Sequence, residues 1–559
     1  MKKTFIYKWF ATLFVLFLVA GCESDFLDIN DDPNNPTSAP VSQLLASAQV
    51  DIAGALGNSI GGLSAIPQAY TQQVFQRGIT EQDYGVRGTD FEVITPWNIL
   101  YTRGLMDLEE LITLATEQEA LQYVGVAQIL KAYSFSLLVD MYGDVPFTEA
   151  FQGTVNPSPT YDLGENVYPQ LFTLLDEGIN NLAASSSAVV GVDDLFYGGD
   201  LNLWRKFAKT LKLKMYNQVR LVQDVSADVG ALIADDDMLS SQSEDFEFQY
   251  GTSTAPENRN PAYVQEYTPG AAQFYINPFF YETMAVLNTF GHRNYGDEIG
   301  LVDPRIPYYF YNQLAPGQNA ENPCSYCDLD VNGVQKVPEL AGTGFLSIYM
   351  FSFNIDPNEG FSQSSSQTVP GIYPVGGRYD DGQGGIANFN GDGTTPQRLL
   401  TYFARKYIEA ELYHTGVTTG DARAAFEEAM RASFAKVDQV ASAASSQTVP
   451  ALDTDAVDAY VDAVLTSYDA ADADGKLEHI ITQKWIASFG WGCDVYSDFR
   501  RTGFPILHDG NTDNLSITNR TREFPFALPW VDQNLQINAN APAQKQIGTA
   551  EARVFWDPS

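Results

Sequence analysis

An acidic stretch in the middle of the chain, DLDVNGVQKVPE at residues 328–339, has the residue types and spacing of a calcium-binding loop. The pattern D-x-[DN]-x-[DN]-G-x5-E supplies the hard oxygen ligands that Ca²⁺ prefers. The candidate ligands are Asp328, Asp330, Asn332, the Val334 carbonyl and Glu339. Pro338 disfavours the exit helix of an EF-hand, so a solvated acidic turn is the alternative. We expect no required cofactor and a structural Ca²⁺ as a candidate.

The residue groupings of hydrolytic enzymes are weak in this sequence. GNSIG at residues 57–61 fits the G-x-S-x-G pattern of serine hydrolases, but that serine requires a preceding strand and a following helix, and its surroundings here are of helical or loop type. The four histidines form no H-E-x-x-H group, which argues against zinc proteolysis and histidine-based catalysis. Carboxylate pairs for glycoside hydrolysis stay open, because 70 acidic residues offer too many pairs.

The N-terminus contains a candidate modification site. Three lysines precede an apolar run, FATLFVLFLVA, which is too short for a membrane anchor and is typical of a secretory signal. The small residues before the cysteine in LVAGC resemble a bacterial lipobox. We predict that residues 1–21 are removed and that Cys22 is lipidated, with ordinary cleavage beside an incidental cysteine as the alternative. The acidic residues that follow resemble signals for export to the outer face of the outer membrane.

A second pair of cysteines, CSYC at residues 324–327, precedes the acidic stretch. A closed zinc site needs four ligands, and no second Cys-x-x-Cys or nearby histidine supplies the other two. An exported protein lies in an oxidising environment, which favours disulfides. We therefore predict a local disulfide between Cys324 and Cys327, and a buried free thiol at Cys493.

Amphipathic helices in pairs account for much of the chain, because apolar residues recur at helical spacing. The pairs lie at about 95–142, 165–224, 397–437 and 454–491. They predict a mainly α-helical fold of four TPR-like hairpins, although the signature of regular TPR repeats is not kept.

The second and third pairs are separated by residues 240–395, which are rich in Gly, Asn, Pro, Ser and Tyr. A long loop-rich insertion on a rigid scaffold is usually functional, so we predict a ligand-binding lobe there. Residues 22–40 are polar and rich in Pro and Asn, which predicts a flexible tether. Residues 41–559 would then form one binding domain.

The charge excludes one class of partner. The chain has 32 basic and 70 acidic residues, and its net charge of −38 becomes −41 when the three lysines of the signal are removed. Such a surface repels phosphate backbones, so we expect no binding to nucleic acid.

Five segments resemble one known family and follow its order over most of the chain. They are CESDFLDINDDPNNPT, DMYGDVPFTEAF, YGGDLNLWRKFAKTLKLKM, ITQKWIASF and SDFRRTGFPIL, and they are similar to segments of SusD/RagB nutrient-binding outer-membrane lipoproteins. The resemblance implies an eight-helix TPR-like scaffold with a variable loop lobe. It also implies a lid over a SusC-like TonB-dependent transporter that captures oligosaccharides or, in some members, peptides.

Two local sequence features bear on this resemblance, one a departure from the family and the other a predicted helix end. Many members carry an acidic residue near Ala404 and Arg405, where this chain has none, so we expect no local salt bridge. RRTGFP predicts a helix end, with Arg500 and Arg501 as dipole-capping or buried ion-pair residues.

The expected function is a surface lipoprotein of the outer membrane that binds nutrient oligosaccharides without catalysis and delivers them to a SusC-like transporter. The alternatives are a peptide-binding member of the family, a surface polysaccharide hydrolase, and a structural or adhesive protein.

A sugar site needs a flat aromatic platform beside hydrogen-bonding groups, because a sugar ring has an apolar C–H face and polar edges. Our candidate ligand contacts are Tyr84, Tyr275, Tyr373, Arg378 and Tyr379. For each of them, packing within the loops is the alternative. Trp97, Trp204 and Trp485 lie in amphipathic helices, so we assign them to the core.

Overall fold

The computed structural model describes residues 39–76, 91–269, 272–287, 294–318, 330–331, 334–335, 342–347, 365–509 and 524–557. Helices dominate these ranges, and the strands have two to four residues. The helices are α1 (Val41–Leu56), α2 (Ala65–Tyr70), α3 (Phe91–Ile99), which continues through a π-helical turn (Leu100–Gly104) into α4 (Leu105–Glu117), α5 (Leu121–Tyr142), α6 (Gly164–Ala183), α7 (Leu201–Val219), α8 (Ser226–Asp235), α9 (Pro261–Tyr267), α10 (Pro278–Ala285), α11 (Tyr295–Ile299), α12 (Ile306–Tyr309), α13 (Ile372–Val375), α14 (Tyr402–His414), α15 (Ala422–Ser442), α16 (Thr454–Ala470), α17 (Ala473–Ala487), α18 (Gly492–Thr502) and α19 (Asp532–Ile537). The strands are β1 (Val74–Gln76), β2 (Phe246–Phe248), β3 (Phe274–Ile276), β4 (Phe310–Tyr311), β5 (Asp330–Val331), β6 (Val334–Gln335), β7 (Val369–Pro370) and β8 (Gln397–Leu400).

The four predicted helix pairs are present, so the mainly α-helical fold class is confirmed. They are α4 with α5, α6 with α7, α14 with α15, and α16 with α17, and the members of each pair pack against each other. The connections are short in three of the pairs, and only Ala471 and Asp472 separate α16 from α17. Such short links make consecutive helices lie side by side as hairpins.

Aspartate caps begin four of the long helices. Asp200, Asp421, Asp453 and Asp472 accept hydrogen bonds from backbone N–H groups in the first turns of α7, α15, α16 and α17. A side-chain cap of this kind contributes about 0.5–2 kcal/mol, and the carboxylate also interacts favourably with the helix dipole. Part of the acidic composition therefore serves to start the scaffold helices.

Helix α5 is apolar on all sides and lies inside the scaffold. Within the described part of the chain, it is the one helix long and apolar enough to cross a membrane, but 94% of its most apolar window is buried inside the protein. It packs against both α4 and α6. A Cβ on Gly178 of α6 would lie only 2.8 Å from Ile129 Cγ1 of α5, so a side chain there would disturb the close approach of the two helices. Burial in the core thus accounts for the hydrophobicity of α5.

Three short antiparallel β-ladders involve the loop-rich lobe. β4 pairs with β7 inside the lobe, whereas β1 with β3 and β2 with β8 join the lobe to segments outside it. Each ladder joins segments far apart in the sequence. The lobe also contains a small hydrophobic core of its own, which we call the tyrosine cluster. Its buried residues are Ala262, Tyr263, Tyr267, Tyr311, Val369, Val375 and Ala387.

The RRTGFP motif forms a helix end, as predicted. α18 ends at Thr502, and Gly503 has a φ of +77°, which a glycine adopts without strain. Arg501 is buried and forms ion pairs with Glu411 of α14 and with Asp498. Burial alone would raise the pKa of Glu411, but the guanidinium groups of Arg501 and Arg220 lower it below its usual value. The buried ion-pair interpretation of Arg501 is confirmed.

The expectation of no salt bridge around Ala404 and Arg405 was wrong. Arg405 Nε lies 2.6 Å from Glu409 Oε1, one turn further along α14, and its guanidinium also pairs with Asp236 at the end of α8. The sequence comparison considered only the residues next to Ala404 and Arg405, whereas the carboxylates belong to Glu409 and Asp236.

Tryptophans confirm the predicted core and extend it to the C-terminus. Trp97, Trp204 and Trp485 are all buried, as expected. Trp556 is also fully buried, and its Nε1 donates to Asp140 Oδ1 of α5 at 2.9 Å. The Arg500 guanidinium lies 4.8 Å from the Trp556 ring centroid. The C-terminal segment is therefore part of the scaffold, which helical periodicity does not predict.

Candidate functional site

Two of the predicted ligand contacts are buried. Tyr275 is 3% exposed and lies in β3, where its ring stacks on Phe75 of β1 with centroids 5.1 Å apart. Tyr373 is fully buried: it stacks on Tyr309 at 4.9 Å, and the Arg398 guanidinium lies 3.9 Å from its ring. Neither ring has a face free for a ligand, so the expectation that they are exposed platforms was wrong. Pairing of β3 with β1 covers the Tyr275 ring, and packing against Tyr309 and Arg398 covers the Tyr373 ring.

Arg378 and Tyr379 are partly exposed and lie at the start of one surface segment, residues 378–390, which we call the 378–390 loop. The Arg378 guanidinium lies 4.9 Å from the ring centroid of Tyr311 in the tyrosine cluster. Tyr379 packs edge-on against Tyr308 at 5.0 Å, and its N–H donates to Gln447. These two predicted residues therefore share a surface and are available to a ligand.

Phe389, near the other end of this loop, was missed by the sequence prediction. It is 45% exposed, and no other Phe, Tyr or Trp whose burial is described exceeds about a third exposure. Its φ of +50° lies in the left-handed region, which is unfavourable for a residue with a Cβ and is found at ligand-binding positions. The sequence signal was an aromatic residue between two asparagines in a glycine-rich stretch, ANFNGDG.

Hydrogen bonds to the rest of the lobe hold the 378–390 loop in place. The N–H of Gly385 donates to the Gln313 carbonyl at 2.8 Å, and the N–H of Ala387 donates to Gln313 Oε1 at 2.7 Å. The N–H of Phe389 donates to the Tyr267 carbonyl at 3.0 Å. A surface fixed in this way loses little conformational entropy when a ligand binds.

The Phe389 ring has a charged support. The Arg259 guanidinium lies 5.6 Å from the Phe389 ring centroid and 5.4 Å from that of Tyr263. Glu257 accepts two hydrogen bonds from Arg259, at 2.8 and 2.7 Å, and these raise the pKa of the arginine. Cation–π contact on one side fixes the ring while leaving nearly half of it exposed.

Polar groups with fixed orientations border this aromatic ring. Burial raises the pKa of Asp380, whose carboxylate accepts hydrogen bonds from Asn312 and from the Gly382 N–H. Gln383 and Asn388 are exposed. An aromatic ring beside amide and carboxyl groups is suited to bind a molecule with an apolar face and polar edges, such as a sugar. No set of three or more His, Cys, Asp or Glu able to hold a metal occurs among the described residues.

Comparison with protein families decides where this fold belongs. Residues 33–525 match the SusD-like family model described as "Starch-binding associating with outer membrane". The chain belongs to this SusD-like family. A search of curated proteins finds no match.

Solved structures show the same fold for this SusD-like protein. A Bacteroidetes AC2a SusD-like structure has a TM-score of 0.67 at 19% identity, with 93% of this chain and 100% of the other covered. A chitin-binding protein has a TM-score of 0.65 at 19% identity, with 93% and 100% covered. A SusD homologue from Bacteroides fragilis NCTC 9343 has a TM-score of 0.64 at 19% identity, with 93% and 99% covered.

Several predicted sites of the SusD-like protein fall outside the described residues. These are Cys22, Tyr84, Cys324, Cys327, Asp328, Asn332 and Glu339. Of the other candidate calcium ligands, Asp330 lies in β5 and Val334 in β6, and these strands pair with each other. Calcium binding and the disulfide stay predictions.

Two further sequence features lie within the described part of the SusD-like protein. Cys493 is a buried free thiol, as expected. GNSIG follows helix α1, which ends at Leu56, so the strand that a nucleophile elbow requires does not precede it.

Proposed function

We propose that this protein is a surface lipoprotein that binds nutrient oligosaccharides without cleaving them and delivers them to a SusC-like TonB-dependent transporter. The observation that carries the binding role is the exposed, fixed ring of Phe389 on a polar loop of a SusD-like lobe. The family description, starch binding with outer-membrane association, supports the same ligand class.

The chemistry of the 378–390 loop supports binding without catalysis. Asp380 and Asp381 are its two carboxylates. The Asp380 carboxylate accepts hydrogen bonds from the Asn312 side chain and the Gly382 N–H. The Asp381 carboxylate accepts a hydrogen bond from the Gln383 N–H. A glycoside hydrolase needs two carboxyl groups on opposite sides of the scissile bond, about 5–10 Å apart. Two adjacent aspartates that already accept hydrogen bonds from neighbouring protein groups do not favour that arrangement.

Lipidation at Cys22 would supply the membrane attachment. The apolar helix α5 is buried in the scaffold and is not available for this role. A tether of about 20 residues, from Cys22 to the start of α1, would reach about 65 Å when fully extended. That length would let the body move over a transporter while the lipid stays in the membrane.

Binding and cleavage are separated by one experiment on the purified protein. Starch and chitin oligosaccharides are titrated by calorimetry, and each mixture is assayed for new reducing ends. We expect binding without new reducing ends, and weaker binding by Phe389→Ala. Ile537→Ala is the matched control, because Ile537 is an exposed apolar residue on α19.

Each other outcome contradicts part of the proposal. New reducing ends would indicate a hydrolase. Binding of peptides with no binding of any oligosaccharide would indicate the peptide-binding alternative. Equal weakening by Phe389→Ala and Ile537→Ala would place the ligand away from the 378–390 loop.

A further inference from the structure

Arg378 differs from every other arginine in the described part of the chain. The others form an ion pair with a carboxylate or, for Arg398 and Arg500, donate to backbone carbonyls. The Arg378 guanidinium has neither kind of partner among the described residues, although its backbone N–H donates to Tyr267 Oη at 2.8 Å. A guanidinium without such a partner is unexpected in this chain, because its 70 acidic residues outnumber its 32 basic residues.

The nearest carboxylates in the sequence are directed to other donors. Asp380 Oδ2 accepts from Asn312 Nδ2 at 2.7 Å, and Asp380 Oδ1 accepts from the Gly382 N–H at 2.9 Å. Asp381 Oδ1 accepts from the Gln383 N–H at 3.0 Å. These bonds leave the planar N–H donors of Arg378 available.

The tyrosine cluster holds this guanidinium in position. It lies 4.9 Å from the Tyr311 ring centroid, and the Tyr311 hydroxyl shares its one proton between the carbonyls of Gly384 and Gly385. A guanidinium held over a fixed ring loses less freedom when it binds a partner than a free side chain does.

The same cluster links Arg378 to the exposed ring of Phe389. Tyr263 and Tyr267 stack with centroids 5.0 Å apart, and the Phe389 N–H donates to the Tyr267 carbonyl. The Arg259 guanidinium lies over both Tyr263 and Phe389. Arg378 and Phe389 are thus two parts of one fixed surface.

We propose that Arg378 binds the carboxylate of an acidic sugar, so that the ligand is an oligosaccharide with isolated uronic acid units. This rests on the proposed function. The planar guanidinium matches a carboxylate with two parallel hydrogen bonds, which a single hydroxyl does not offer. The net charge of −38 repels densely charged polymers, which favours isolated carboxylates over polysulfated chains.

The test uses a panel of uronic-acid-bearing oligosaccharides, each paired with its carboxyl-reduced form, and the full lipoprotein in detergent. We expect an acidic member to bind about tenfold or more tightly than its reduced form, as for a hydrogen bond to a charged group. Arg378→Gln should remove this difference, so that the variant binds the acidic and the carboxyl-reduced forms with equal affinity. Arg378→Lys should restore only part of it, because a lysine keeps the charge without the planar donors.

The matched control is Arg423→Gln, which changes the net charge equally. Arg423 lies at the start of α15. The other end of that helix is about 30 Å away at 1.5 Å per residue, and it leads to Gln447, which accepts a hydrogen bond from the Tyr379 N–H of the 378–390 loop. This variant should bind the acidic oligosaccharide as the wild type does. A melting temperature within error of the wild type establishes that each variant is folded.

Equal affinity for acidic and reduced forms would overturn this inference and leave the proposed function standing. Equal losses in Arg378→Gln and Arg423→Gln would also overturn it, because the effect would then be one of net charge. Binding of sulfated oligosaccharides in preference to isolated uronic acids would overturn the choice of ligand. Failure to bind any oligosaccharide, neutral or acidic, would overturn the proposed function as well.

Discussion

The Arg305 guanidinium and the Asp303 carboxylate, both completely buried, form an ion pair with Nη2 and Oδ2 2.5 Å apart. Arg305 also donates to Ser433 Oγ of α15 at 3.2 Å and to Gln483 Oε1 of α17 at 3.1 Å. The pair therefore joins the loop-rich lobe to the third and fourth helical hairpins. It fixes the lobe on the scaffold without contributing to the exposed surface.

Replacing Arg305 alone should be strongly destabilising. Arg305→Met leaves the Asp303 carboxylate buried without its partner, which typically costs about 3–5 kcal/mol of the free energy of unfolding. The double variant Arg305→Met with Asp303→Leu removes both charges and should lose less. Urea unfolding followed by fluorescence measures both. A double variant at least as unstable as the single one would contradict this account of the pair.

A second buried ionic group should make stability depend on pH. Lys436 Nζ lies 2.9 Å from Asp245 Oδ2 and 2.6 Å from Glu247 Oε2. Burial raises the pKa of Asp245 to about 7, because Lys436 offsets only part of the desolvation and Glu247 adds repulsion. In the unfolded chain an aspartate has a pKa of about 3.9.

The folded state therefore holds a proton on Asp245 that the unfolded state releases between these values. The stabilisation is fully present below about pH 4 and is lost as the pH rises through about 7. Asp245→Asn lacks this titration, so the melting temperature of the wild type should fall relative to that of the variant between pH 4 and pH 7. Asp462→Asn, at an exposed position on α16, is the control and should follow the wild type. A constant difference between wild type and Asp245→Asn over this range would refute the assignment.

Calcium should stabilise the protein if residues 328–339 form a binding loop. An ion that binds only the folded state raises the melting temperature by mass action. The free energy of unfolding increases by about 2.7 kcal/mol when the ion concentration is 100 times its dissociation constant. Millimolar Ca²⁺ should raise the melting temperature relative to EDTA, and Glu339→Gln should reduce the shift. An unchanged melt would leave the acidic turn as the correct interpretation.

The lipid anchor predicts where the protein is found in cells. Cys22→Ala removes the thiol to which the lipid would be attached, so we expect this variant to be released from the membrane or mislocalised. Surface protease treatment and cell fractionation measure both. A Cys22→Ala protein that stays on the cell surface as the wild type does would show that another element holds it there.

The sequence predicted the scaffold because helical periodicity is local. Trp204 and Trp485 could be assigned to the core from the apolar residues around them, and both are buried. The lobe was harder, because exposure there depends on pairing between distant segments. Tyr275 is covered because β3 pairs with β1, which places it opposite Phe75, and nothing near Tyr275 in the sequence indicates this.

Phe389 is the opposite of Tyr275, because it is exposed although the sequence did not single it out. An aromatic residue is usually expected to pack, yet its backbone bond to Tyr267 and its left-handed φ leave it at the surface. Arg378 and Tyr379 are partly exposed whereas Tyr373 is buried, and ligand contact by Arg378 and Tyr379 stays a prediction. Composition predicted a ligand-binding lobe, but only the folded chain separates the aromatic rings that pack from those that are exposed.

The central claim is that the 378–390 loop presents Phe389 to a sugar, and a crystal structure with a bound oligosaccharide tests it most directly. We expect the C–H face of one sugar ring to lie about 4 Å from the exposed face of the Phe389 ring, at van der Waals contact. The buried Tyr275 and Tyr373 should not touch the ligand. An oligosaccharide bound elsewhere on the protein, with Phe389 still exposed to solvent, would contradict the account.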